Sequence, residues 1–281
     1  MKAANLKIQL VTISVILIFI AGMTGCTGKK SKESQTPGEE ITLDEKEVTS
    51  KDKLVKEVID YPLPTAFEVT KLLIDAGAGF ILDLTNDVGN VNTYISLKSK
   101  ALNLGVYGAD LSYAATYNQT QETMQYLEVS SKLVDELQIS TAFNQTLVER
   151  VEKNIDNVDS LIIIISDSFY ETYEYLQLNE QDALSLLVLA GSWIEAMYIS
   201  TQVSIVSMDN KQIVEIISDQ RNSLATLMET LKPSKDDEMI QDIYDELTDI
   251  KALFDASSTP LTNDELDQLT EATENLRNSI V

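Results

Sequence analysis

ALSLLVLAGSWIEAMYISTQVSIV, Ala183 to Val206, carries a single charge, Glu195, in 24 residues. Two structures suit a stretch this long and apolar: a membrane span, which needs roughly 20 apolar residues, or a helix buried on most sides by its neighbours. Ser185, Ser192, Ser200, Thr201, Gln202 and Ser204 join Glu195 in making it too polar for lipid. The stretch therefore reads as the central helix of a water-soluble core, and the rest of the chain must supply the helices that cover it.

The flanking sequence does so. Ile240, Ile243, Leu247, Ile250 and Phe254 step by three and four, which puts them on one helix face. Ile213, Ile217, Gln220, Leu224, Leu227 and Leu231 repeat the pattern with one polar interruption, and Leu266, Leu269, Thr273, Leu276 and Ile280 close the chain with a third seam. Thr262-Asn-Asp-Glu265 and Thr65-Ala-Phe-Glu68 have capping-box spacing, in which a hydroxyl and a carboxylate satisfy free N–H groups of the first turn. Asp209 with Gln212, Ser234 with Asp237, Asn179, and Ser140 or Thr141 are further helix starts, and Pro233 and Pro260 mark gaps. DSLIIIISDSF, Asp159 to Phe169, has β-branched residues that suit a strand, but its helical flanks and lack of turns make it a helix. Sustained alternation with hairpin turns is not found. The expected fold is all-α: an up-and-down bundle of about seven or eight helices with antiparallel neighbours, built from residues 62–281 as a single domain.

GAGFILDLTNDVGN, Gly77 to Asn90, is the clearest interruption. The helical run beyond it, from about Asn92 towards Leu137, is expected to kink near Gly105 and Gly108. That run includes GVYGADLSYAATYNQ, Gly105 to Gln119. Here Tyr113 and Tyr117 lie one turn apart and Asp110 three residues before Tyr113, so the three share a face, with Tyr107 nearby. Such a face could hold a polyol or sugar, the acid accepting hydroxyls and the rings stacking. The structural alternative is half-buried tyrosines whose hydroxyls reach water. Trp193 and Glu195 point to different sides of the central helix. Glu195 either lies in a polar surface groove or, if buried, needs a partner, for which Arg150 and Arg221 are the candidates.

Composition excludes much chemistry. The chain has no histidine and one cysteine, so Ser-His-Asp and Cys-His arrangements, the usual zinc sites and the Glu-x-x-His di-iron motif cannot form. DLTNDVGN lacks the alternating acids and terminal Glu of a calcium loop, so no metal or cofactor is expected. A carboxylate-dependent hydrolase is the one enzymatic alternative retained, and it would need two acids facing one cleft. The acids of KDDEMIQDIYDELTDI fall opposite the seam, as on a solvated face. Taking Lys2 and Lys7, which precede Cys26, off the 21 basic side chains leaves 19 against 45 acidic ones, a formal charge of −26. That excess repels nucleic acid and anionic headgroups.

The start of the chain supplies an address. Lys2 and Lys7 precede an uncharged, apolar stretch whose densest part is VTISVILIFIA, Val11 to Ala21. Small residues follow, as in a secretory signal peptide. Met23-Thr24-Gly25-Cys26 resembles the lipobox of bacterial lipoproteins, and in general look the chain is similar to helical lipoproteins of Bacteroidota. The resemblance implies that residues 1–25 are removed and that Cys26 receives lipid. Nothing else competes for this thiol: without histidine it has no usual base, and without a second cysteine no disulfide partner. Residues 26–61, rich in charge, Ser, Thr and Gly, read as a tether. Surface-exported members of the group it resembles often carry an acidic run after the cysteine; the basic Lys29, Lys30 and Lys32 depart from that pattern, so the resemblance implies a periplasm-facing position over the cell surface. The expected protein is thus a non-catalytic binding or scaffolding module of the cell envelope. Lipid on Cys26 would hold it to a membrane, and a protein of the envelope would be its partner. A small-molecule-binding protein, with a pocket between helices, is the alternative.

Overall fold

The computed structural model describes residues 66–139, 141–207 and 210–281, the side chains of 141–145 excepted. The leader, Cys26, the tether, and the caps assigned to Thr65, Ser140 and Asp209 lie outside the described residues, as does the side chain of Thr141.

The chain is all-α, with no strand among the described residues. Its helices are α1 (Ala66–Asp75), α2 (Leu97–Thr116), α3 (Thr120–Glu136), α4 (Thr141–Lys153), α5 (Val158–Leu178), α6 (Asp182–Val206), α7 (Lys211–Leu231), α8 (Gln241–Ala256) and α9 (Asn263–Ile280). Each packs on the next, and buried apolar side chains from all nine join one cluster.

Tight turns make the up-and-down path. Asn118, Gln138 and Glu180 each take a left-handed backbone, with φ of 56°, 59° and 59°. In each case the following N–H reaches back five residues: Gln119 to Ala114, Ile139 to Val134 and Gln181 to Leu176. This is the Schellman closure, which satisfies helix-end carbonyls and reverses the chain within about three residues. Gly77, with φ 85°, closes α1 the same way. Asn179 is accordingly the C-terminal cap of α5 and not the cap of α6.

The most extensive contact joins α2 to α6. The central helix is α6: it also touches α1, α5, α7 and α9, and 72% of its most apolar window is buried in the bundle. The two helices cross at a reciprocal glycine contact. A Cβ on Gly105 would lie 2.1 Å from the Val188 carbonyl oxygen, and one on Gly191 would lie 2.0 Å from that of Leu102. Both distances are far inside contact range, so only glycine admits this approach. α2 runs unbroken through Gly105 and Gly108, and the break in the expected long helical run falls at Tyr117–Gln119. Gly105 serves the crossing.

The outer helices follow their seams. Ile240, Ile243, Leu247, Ile250 and Phe254 are buried, as are Ile213, Ile217, Gln220, Leu224, Leu227 and Leu231. On α9, Leu269, Thr273, Leu276 and Ile280 are buried and Leu266 is half-buried. The Thr262–Glu265 capping box forms in full. The start of α8 differs from the expected Ser234 cap: Lys232–Ser234 is a 3-10 turn, Asp237 accepts from the Met239 N–H, and the α-helix begins at Gln241.

Candidate functional site

Between α1 and α2 the chain forms only two 3-10 turns, Leu82–Leu84 and Val88–Asn92. A segment this irregular leaves backbone donors and acceptors that need partners. One face of α2 supplies them. Asn103, Tyr107, Asp110, Tyr113 and Tyr117 recur at steps of three and four and therefore line up along the helix. The segment crosses them in the opposite direction. Tyr117 Oη donates to the Ala78 carbonyl at 2.9 Å, and the Ile81 N–H donates to Tyr113 Oη at 2.9 Å. The Asn86 N–H donates to Asp110 Oδ2 at 3.1 Å, and Tyr107 Oη donates to the Asp87 carbonyl at 2.8 Å. The Asn86 side chain donates to Tyr94 Oη at 2.9 Å and to Asn103 Oδ1 at 3.4 Å. Tyr126 of α3 adds a bond to Thr85.

Ring packing reinforces this strap. Phe80 stacks on Tyr113 with centroids 4.9 Å apart and lies 5.7 Å from Tyr117. Tyr107 sits between Tyr94 and Tyr126, 6.3 Å from each. Tyr107 and Tyr113 are fully buried, so their hydroxyls meet backbone and not water. Burial pushes the phenols of Tyr107 and Tyr117 well above their ordinary range, which keeps them neutral.

Asp110 connects the strap to the bundle centre. It and Glu195 of α6 are both completely buried, and their carboxyls are within hydrogen-bonding reach of each other. Arg277 of α9 forks onto Glu195, with Nε to Oε2 at 3.1 Å and Nη2 to Oε1 at 3.2 Å. Its guanidinium lies 4.7 Å from the centroid of Tyr198, one turn along α6 from Glu195. Two carboxyls and one guanidinium cannot all be charged in a dry interior without a net negative charge. Burial pushes both acids up. Arg277 pulls Glu195 back down, whereas Asp110 is raised further by the Glu195 charge and ends well above the usual carboxylate range. Asp110 Oδ1 meets no donor, because its neighbour is itself a carboxylate. A proton on Oδ1, donated to Glu195, resolves the arrangement: neutral Asp110, anionic Glu195, cationic Arg277.

The structure thus draws together two residues from separate sequence motifs, Asp110 and Glu195. The partners expected for Glu195 are elsewhere: Arg150 pairs with Asp167 at 3.6 Å, while Arg221 donates to the Ser218 and Ser258 carbonyls. Glu195 is not in a surface groove. Trp193, on another side of α6, donates through Nε1 to Ser223 Oγ at 3.1 Å and lines a separate apolar cavity. Sequence reasoning missed Asn86, Asn103 and Arg277. Asn103 accepts from the Asn86 side chain through Oδ1 and donates through Nδ2 to the Ile280 carbonyl, at 2.7 Å, so it also closes the end of α9. Its position four residues before Tyr107, on the same face, was the available signal. Among the described residues no group of three or more Asp, Glu, Cys or His is placed to hold a metal ion.

Physically, this cluster ties α2, α6 and α9 together at the bundle centre. Compared with known proteins, the chain matches no family model, no curated protein and no solved structure.

Proposed function

We propose that this chain is a lipid-anchored, non-catalytic binding or scaffolding module of the bacterial cell envelope, with a protein partner there. The lipobox-like Met23–Cys26 supports the anchor. One observation carries the non-catalytic part of the reading. Asp110, Glu195 and the tyrosines that resemble a ligand face are spent on the chain's own backbone and on Arg277. A polyol at that face would first have to displace residues 78–87. Recognition then falls to the exterior, where Ile95 is 86% exposed and Leu97 53% exposed at the start of α2, on a strongly acidic protein. Anchoring raises the local concentration of such a surface, so weak contacts suffice.

The test is crosslinking in intact cells, comparing the natural chain with Cys26→Ser. The reading expects a discrete crosslinked protein partner in the membrane fraction and its loss in the variant. An unlipidated Cys26, or a partner retained equally by the released variant, contradicts it.

A further inference from the structure

The face of α2 opposite the strap borders a cavity of about 110 Å³ lined by side chains of α1 to α6. We infer that this cavity is a binding site for a small, uncharged, ring-sized molecule carrying one hydroxyl group. Its walls include Leu104, Val188 and the rings of Phe67, Phe169, Tyr170 and Trp193, and no charged side chain lines it. A cavity of roughly this size, near 150 Å³ and lined by apolar groups, stays dry and accepts benzene. A charged ligand would lose its hydration without compensation.

The hydroxyl requirement comes from Ser130. Buried helical hydroxyls around the cavity satisfy themselves on their own helix: Ser112 on Gly108, Ser168 on Ile165 and Thr172 on Ser168. Ser130 Oγ, on α3, lines the same cavity at 7% exposure and has no hydrogen-bond partner. A buried, unsatisfied hydroxyl is costly to keep, and a ligand hydroxyl would satisfy it. This site is independent of the envelope reading, since it needs neither anchor nor partner.

The chain has one tryptophan, Trp193, and it lines the cavity, so its fluorescence reports occupancy. Cyclohexanol and methylcyclohexane are matched in size and do not absorb where tryptophan does. Titrated into the full chain, cyclohexanol is expected to give a saturable change in Trp193 emission, binding about fivefold tighter than methylcyclohexane. Ser130→Ala should erase that preference, Leu104→Phe should abolish binding, and cyclohexanecarboxylate should not bind. Should Leu104→Phe fail to fold, Gly108→Ala replaces it. A Cβ there meets only Phe169 ring atoms at 3.8 and 4.0 Å, so the variant keeps its fold while narrowing the cavity and weakening binding. No saturable change, unaltered binding in the space-filling variants, or an equal response to the two ring compounds in the natural chain overturns the inference.

Discussion

The α2–α6 centre and the α7–α9 trio are both helical packing, achieved by opposite means. In the trio, large aliphatic side chains recur at three and four and interdigitate; Leu247, Leu227 and Leu269 are fully buried. At the centre, two glycines let backbones touch, and the volume that side chains would occupy elsewhere is given to a polar cluster of Asp110, Glu195 and Arg277. The trio tolerates loss of volume gradually, because neighbours can partly collapse into the gap. The centre cannot tolerate gain, since the first atoms met are carbonyl oxygens held in a helix.

Four substitutions break or sharpen this contrast. Gly191→Ala should be the most damaging: its methyl must push α2 and α6 apart, costing at least the ~1–3 kcal/mol usual for overpacking and exceeding it because backbone must move. Denaturant unfolding should show this despite the ~1 kcal/mol gained in helix propensity. Arg277→Met leaves Glu195 buried and unpaired, which should cost about 3–5 kcal/mol, with part recovered when Glu195→Gln is added. Leu247→Ala, the trio's counterpart, should cost ~3 kcal/mol through lost burial and a residual cavity. Equal losses for Gly191→Ala and Leu247→Ala would remove the distinction between the two regions.

Asp110→Asn should have the smallest effect, with a characteristic pH dependence. Asp110 binds its proton more tightly folded than unfolded, so its contribution is complete below the ordinary value of 3.8 and is lost as pH rises towards the folded value. Asparagine keeps the acceptor for Asn86 and a donor for Glu195, and it does not titrate. The variant should therefore match the natural protein at about pH 3 and exceed it by ~1 kcal/mol or more at about pH 7 in parallel unfolding series. A variant less stable at neutral pH, with the gap closing in acid, would mean that Asp110 is ionised in the fold.

The same contrast explains what the sequence made legible. The seams of α7, α8 and α9 are local patterns, and all three became buried faces. The shared face of Asp110, Tyr113 and Tyr117 was equally local and forms as the spacing requires. Its occupant was not legible, because the ligand is the backbone of residues 78–87, and backbone atoms carry no signature in sequence. Gly105 looked like a helix breaker because its real reason, Val188, lies in another helix. Arg277 reaches Glu195 across 82 positions, and no periodicity links the two. Nothing local in the sequence marks Ser130, because its missing partner is a property of the packed helices around it.

The central claim is that α2 uses its polar face to hold the chain's own 78–94 segment. Amide hydrogen exchange of Ile81 and Asn86 tests it most directly, because their N–H groups donate to Tyr113 Oη and Asp110 Oδ2. The account predicts that both amides, though outside any α-helix, exchange as slowly as those in the middle of α2. Exchange at the rate of an open loop would show that the face is free and would contradict it.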